Sequence, residues 1–229
     1  MEEREARARM VIFGDGIPTL ANKKFGIGFD CRPDGTALAA ACDIQYPGNK
    51  LDSLDFFFSD EVSPFGYAWI FPKKDLVNVG VLCLVSKLKQ DIGRTLERFV
   101  SSVGLGSRQV VRFGSRLIPQ AHVGNLHCDS VLVAGDAAGT TDPIDGGGIS
   151  NAMVNGETAG KVAIEALEAN DLKADFLGRF EVQWKKTENY HAFRRSYALQ
   201  RLALKADLSM GAFLKQMGFF DHPDLADGR

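Results

Sequence analysis

The chain has 229 residues, 24% of them charged and 45% hydrophobic, with a formal net charge of −2. That length can bury a real core, as one large domain or two interleaved ones, and the near balance of charge leaves no electrostatic footprint for nucleic acid. No apolar run approaches a membrane span and the mixed-charge start Met1 to Arg9 lacks an apolar signal core, so a cytoplasmic protein is expected.

Residues 1–9 read as a solvated lead-in. Met10 to Phe13 is a short apolar strand, and Gly14-Asp15-Gly16 follows it at once. Pro18 to Phe25 suits one or two helical turns. Four strand-like runs come next: Thr36 to Ile44, Leu54 to Phe58, Gly66 to Phe71 and Leu76 to Val85. Pro33-Asp34-Gly35, Pro47-Gly48-Asn49 and Pro72 to Asp75 separate them with turn chemistry. Short connections of this kind predict an antiparallel sheet. Within it, alternation puts Tyr67, Trp69 and Phe71 on one face of a strand, an aromatic wall that either packs the core or faces a ligand. Leu88 to Val100 carries a helical stripe, and Val110 to Ile118 is a further strand ending at Pro119.

Val131 to Ala134 has the length of a buried strand and runs into Gly135-Asp136, which sets a carboxylate at the strand's end. A turn with Pro143 follows, and Gly146, Gly147 and Gly148 then open a long helix beginning at Ile149. Unpaired N–H groups and the dipole at such a helix start favour negative charge. Small residues on this helix, Ala152, Gly156, Ala159 and Gly160, are expected to pack closely on a neighbouring layer. The chain then turns helical: Lys161 to Ala169 extends this helix, Phe176 to Ala206 continues it, and Leu208 to Met217 adds a short amphipathic stretch. Lys185, Lys186, Arg194, Arg195 and Arg201 read as a solvated face, with peripheral contact to an anionic membrane as the alternative. Cys31, Cys42, Cys83 and Cys128 have no C-x-x-C spacing and no nearby His ligands, so reduced thiols and no metal site are expected. His122, His127, His191 and His222 stand outside both motifs and read as surface or structural.

G-D-A-A-G followed by P-x-x-G-x-G-I resembles the second flavin-binding motif of FAD-dependent oxidoreductases, most closely the geranylgeranyl reductase family and more loosely the flavoprotein aromatic hydroxylases. Tyr67-Ala-Trp69-Ile-Phe71-Pro72, followed after seven intervening residues by Gly80, is similar to a signature of the same reductases. The resemblance implies that Asp136 bonds a ribityl hydroxyl of FAD and that Gly146, Gly147 and Gly148 approach the flavin. Gly135, Pro143 and Ile149 complete that motif, and Asp15 is the counterpart of an A-D-G element near the cofactor. It also implies that Tyr67, Trp69, Phe71, Pro72 and Gly80 line the channel for an isoprenoid chain. Gly147 stands where the family commonly has Glu, and Leu82 where it has a second glycine.

The expected fold is α+β: a partial FAD-binding domain from residues 1–29 and 119–170, an antiparallel substrate-binding sheet over 30–118, and a C-terminal helical region over 171–229. The implied activity is reduction of isoprenoid C=C bonds by hydride from reduced FAD. The electron source, NAD(P)H or another reductant, and the proton donor stay open, and weak or absent FAD binding is expected of the isolated chain, which carries half of the cofactor's contacts. No G-x-G-x-x-G occurs in a strand-turn-helix setting, so the chain matches the C-terminal two-thirds of such an enzyme. Two alternatives follow: a truncated or non-catalytic lipid-binding remnant needing a partner for FAD, or an aromatic hydroxylase. With the dinucleotide-binding strands absent, Met10–Phe13 is expected to present an open edge, and the chain to be an oligomer, to bind a partner carrying the Rossmann half, or to be poorly soluble alone.

Overall fold

A computed structural model describes residues 5–121 and 124–216. His122, Met217 and His222 lie outside the described residues. The chain divides into two units, one formed by Met1–Arg32 with Ile118–Ala198, the other by Pro33–Leu117 with the residues from Leu199 onward.

The first unit holds a three-stranded sheet in the order β1 (Val11–Phe13), β8 (Val131–Val133), β7 (His127–Cys128). β1 runs parallel to β8 with Phe13 opposite Val133, while β7 is antiparallel to it. β8 is wholly buried, as its unbroken apolar run requires. α1 (Leu20–Phe25) is capped at both ends: the Thr19 hydroxyl accepts from Ala21 N–H, and Gly26 takes the left-handed conformation with φ 67°. α3 (Ile149–Glu168) supplies Ala159, Val162 and Ala166 to a core with Leu132 and Val133. Leu177, Phe180 and Trp184 join the same core from α4 (Ala174–Leu177) and α5 (Arg179–Trp184).

Two expectations are corrected here. Gly156 and Gly160 have open space where a side chain would stand, so of the small residues on α3 these two make no close packing contact. The helical run expected from Phe176 onward is broken into α4, α5 and α6 (Glu188–Lys205), with turns at Gly178 and at Lys185 to Thr187. Leu177, Phe180 and Trp184 lie in the core of the first unit, and the described residues from Leu199 fall in the second. β1 lies at the sheet's edge, with Val11 42% and Ile12 41% exposed.

The second unit is a five-stranded sheet in the order β3 (Asp55–Phe57), β4 (Tyr67–Lys73), β5 (Leu76–Leu84), β2 (Thr36–Gln45), β6 (Val110–Pro119). β4 and β5 form a hairpin closed by Lys74-Asp75, and β2 pairs antiparallel with β5 across it. One face is covered by α2 (Ile92–Ser102), whose Ile92, Leu96, Phe99 and Val100 meet Ala40, Cys42, Ile44, Ala68, Ile70, Val77, Val79 and Val81. Asp91 caps α2 by accepting from Arg94 N–H at 3.1 Å; the expected start at Leu88 is therefore early by a turn. α7 (Met210–Gln216) buries Met210, Phe213 and Leu214. All four cysteines are free: Cys42 and Cys83 are buried in the second unit, and Cys31 and Cys128 are half-buried in the first.

Candidate functional site

The parallel pairing of β1 with β8 brings the two aspartate turns to one end of the first unit's sheet. Gly14-Asp15-Gly16 leaves β1, and Ala134-Gly135-Asp136 leaves β8, from the strands' carboxyl ends. Ala134 N–H donates to Phe13 C=O at 2.8 Å, closing the pair at its last rung. The carboxyl end of parallel strands is where open α/β sheets bind ligands. Gly135 has φ 63° and Gly146 φ 71°, the left-handed region that favours glycine.

Asp15 is committed to α1. Its Oδ1 accepts from the Thr19 hydroxyl at 2.7 Å and its Oδ2 from Leu20 N–H at 2.7 Å. Asp136 is freer: Oδ1 accepts from the Thr141 hydroxyl at 3.0 Å. A Cβ on Gly148 would stand 3.2 Å from Asp136 Oδ1 and 3.2 Å from Thr141 Oγ1, so the missing side chain lets the carboxylate meet the start of α3 directly. Asp142 shapes the intervening turn. Its Oδ1 accepts from Ile144 N–H at 2.8 Å, and its own N–H donates to Gly147 C=O at 2.8 Å. Asp145 Oδ1 accepts from Gly147 N–H at 2.7 Å, and Pro143 is buried between them.

Gly148 caps α3 with no side-chain hydrogen bond, and the first turn of this 20-residue helix carries no acidic residue. Its opening N–H groups therefore keep their partial positive charge for an anion or a carbonyl. Three asparagines and a threonine missed in the sequence surround this turn. Asn155, fully buried, accepts from Gly135 N–H at 3.0 Å, while its Nδ2 has no partner among the described residues; the buried hydroxyl of Thr140 has none either. Asn151 donates to Thr140 C=O at 2.7 Å and accepts from Asn189 at 2.9 Å. Orphaned buried polar groups are costly, about 1–3 kcal/mol each, and these two lie beside the glycine turn. His127 is tied to Glu181 at 2.9 Å, as a structural histidine would be.

In the second unit Tyr67, Trp69 and Phe71 do share a face, and it is the face opposite α2. Tyr67 and Trp69 lie 5.8 Å apart and Trp69 and Phe71 6.0 Å, ring centre to ring centre, with Phe56 beside Phe71 at 5.2 Å. Ala68 and Ile70 take the core side. Pro72, by alternation, falls on their side and not on the aromatic face, which corrects its expected place in the wall. Gly80 sits directly opposite Trp69, and a Cβ there would collide with the indole. The ring thus fills the space above Gly80. Gly66, unnoticed in the sequence, has a sharper constraint: a Cβ would strike the Leu82 carbonyl.

The aromatic row ends in polar groups. Trp69 Nε1–H donates to Asn78 Oδ1 at 2.8 Å, and Asn78 Nδ2 donates to Asp43 Oδ1 at 2.8 Å. Lys73 Nζ pairs with the same oxygen at 2.8 Å. The hydrogen bond from Lys73 holds the Asp43 carboxyl below the usual carboxylate range; burial opposes it, while Asn78 and the charge of Arg112 add to it. Among the described residues, no three His, Cys, Asp or Glu side chains are grouped to hold a metal, and no helix is long and apolar enough to cross a membrane.

Residues 39–115 match the model of the geranylgeranyl reductase catalytic domain. Digeranylgeranylglycerophospholipid reductase 1 of Methanopyrus kandleri is 34% identical, over 80% of this chain and 50% of its own length. The Methanocaldococcus jannaschii digeranylgeranylglycerophospholipid reductase is 31% identical over 95% of this chain and 56% of its own. The chain thus spans about half the length of the curated relatives it matches. A geranylgeranyl bacteriochlorophyll reductase-like protein of Thermoplasma acidophilum superposes with a TM-score of 0.75 at 27% identity, covering 91% of this chain and 53% of that one.

Proposed function

We propose that the chain, which is similar to the geranylgeranyl reductase family over the part of its relatives that it spans, provides flavin-binding and isoprenoid-binding elements of an FAD-dependent reductase. The carrying observation is the placement of Tyr67, Trp69 and Phe71 on the sheet face that α2 leaves uncovered. A wall with few hydrogen-bonding groups suits a long isoprenoid, which binds by area.

The turn residues of the first unit fit a flavin. Asp136 has acceptor capacity left for a ribityl hydroxyl, and Gly146 to Gly148 keep side chains away from the α3 start. Orphaned Asn155 Nδ2 and Thr140 Oγ1 offer further polar capacity. Asp15 acts through α1, whose first turn it braces. When bound and reduced, FAD supplies a hydride to one alkene carbon, and a proton completes saturation of the other. The protein's part is to hold: the uncapped α3 start favours negative charge nearby, and the aromatic row orients the apolar chain.

The test is anaerobic incubation of the purified chain with FAD, a chemical reductant and a geranylgeranyl lipid, read by product mass. A gain of two hydrogens per reduced bond is expected. Turnover that requires oxygen would replace this reading with a hydroxylase. Lipid binding without flavin binding or turnover would leave a non-catalytic lipid-binding chain.

A further inference from the structure

The reductase reading leaves unexplained a polar relay beside an otherwise apolar wall. Asp43, 7% exposed, stands on β2; Asn78 stands opposite it on β5; Lys73 closes β4. All three meet at one carboxylate oxygen, and the relay's far end is the indole N–H of Trp69. Asn78 is saturated by this arrangement: its oxygen takes the indole, and its nitrogen gives to Asp43 and, at 3.5 Å, to Cys42 C=O. The amide can therefore stand only one way round, and it offers the indole an acceptor in one place. Gly80 supplies the complementary vacancy beneath the ring. Tyr67 and Phe71 flank it on either side.

We propose that Asp43 and Asn78 are positioning residues that lock the Trp69 indole over Gly80 and so fix the shape of the surface on which an isoprenoid chain lies. The inference rests on the reductase reading for its ligand but not for its geometry. A tryptophan free to leave Gly80 would swing into the space the chain needs; a tryptophan held there leaves a continuous row. Lys73 holds Asp43 ionised, so that the carboxylate always accepts from Asn78 and never competes with it as a donor.

The chain has two tryptophans, so Trp184→Phe leaves Trp69 as the sole indole reporter. In that background, Asn78→Leu removes the acceptor while keeping similar bulk. Losing one such bond is expected to shift the ratio of docked to undocked indole about fivefold, the factor that about 1 kcal/mol corresponds to. Acrylamide quenching of Trp69 rises accordingly, and the Kd for geranylgeraniol rises by at most that factor, in proportion to the docked fraction lost. Asn78→Asp keeps an acceptor for the indole but sets two carboxylates side by side, with Lys73 and Arg112 as the cations facing them. Such a pair holds a proton more tightly than either alone. Quenching in that variant therefore increases between about pH 5 and about pH 8 as the pair loses its proton, while the parent stays flat. Lys73→Met, at the half-exposed end of β4, is expected to move quenching in the same direction by less, and it decides the matter if Asn78→Leu loses its circular dichroism. Unchanged quenching in a folded Asn78→Leu or in Lys73→Met, or a pH-independent Asn78→Asp, overturns the proposal. Failure of the parent to bind geranylgeraniol defeats the reductase reading alone, because the quenching results decide the relay by themselves.

Discussion

The two units build their candidate sites by opposite means. The first builds its candidate site from main chain: glycines at left-handed or crowded positions, an uncapped helix start, and a carboxylate brought close because Gly148 has no side chain. The second builds from side chains: four aromatic rings in contact on a sheet whose other face is filled by α2. Backbone donors suit a polar, charged group of fixed geometry. Ring faces suit an apolar chain with no polar handle. Crowding the main chain should therefore be most damaging to the ligand of the first site, and displacing a ring most damaging to that of the second.

The severest way to break this contrast is to remove what supports the backbone site. Phe180 is fully buried beneath α3, and Phe180→Ala is expected to cost about 3–5 kcal/mol in urea denaturation, with loss of flavin retention. A sharper test is Gly148→Val, which crowds Asp136 and Thr141. Flavin affinity measured by fluorescence titration should fall at least about tenfold, or about 1.4 kcal/mol, while geranylgeraniol binding is unchanged. The mirror experiment is Gly80→Ala. Its methyl group evicts the indole at a cost of about 1–3 kcal/mol in stability, and it should weaken geranylgeraniol binding while leaving flavin binding intact. If either glycine variant disturbed both ligands equally, the division of labour would be wrong.

The smallest expected effect concerns acid. The Asp43 carboxyl sits lower in the folded protein than its unfolded value near 3.9. A lowered carboxyl contributes stability that is complete above the unfolded value and disappears as pH falls through the folded one. Urea midpoints should therefore drop from about pH 5 downward, and Asp43→Asn should flatten that drop by well under the effect of Gly80→Ala.

The contrast also explains what the sequence revealed. The strands of the second unit were legible because alternation and Pro-Asp-Gly or Pro-Gly-Asn turns bound them on both sides. Their order was not, since β2 joins β5 across a hairpin, a non-local choice that local pattern does not encode. The long helical run was read through Gly178 and Lys185–Thr187, where the chain turns to deliver Leu177, Phe180 and Trp184 to one core. In the candidate sites the glycines and aromatics announced themselves by spacing. Asn155, Asn189, Asn78 and Asp43 did not, because each acts on a residue distant in sequence. Asp43 left one trace, a carboxylate among the alternating small residues of a strand. Pro72 was misplaced for a simpler reason: a motif is contiguous in sequence, whereas a strand sends its neighbours to opposite faces.

The distribution of thiols gives the molecule a pair of internal clocks. Cys42 and Cys83 lie in the core of the second unit, while Cys31 and Cys128 are half-buried in the first. Burial raises all four thiols above their ordinary value, with a nearby aspartate adding to the rise at Cys31, Cys42 and Cys128. Alkylation at neutral pH needs thiolate and access, so Cys42 and Cys83 should react only as fast as the five-stranded sheet opens. Pulsed alkylation read by peptide mass would thus time the breathing of the second unit, with Cys31 and Cys128 as the accessible reference.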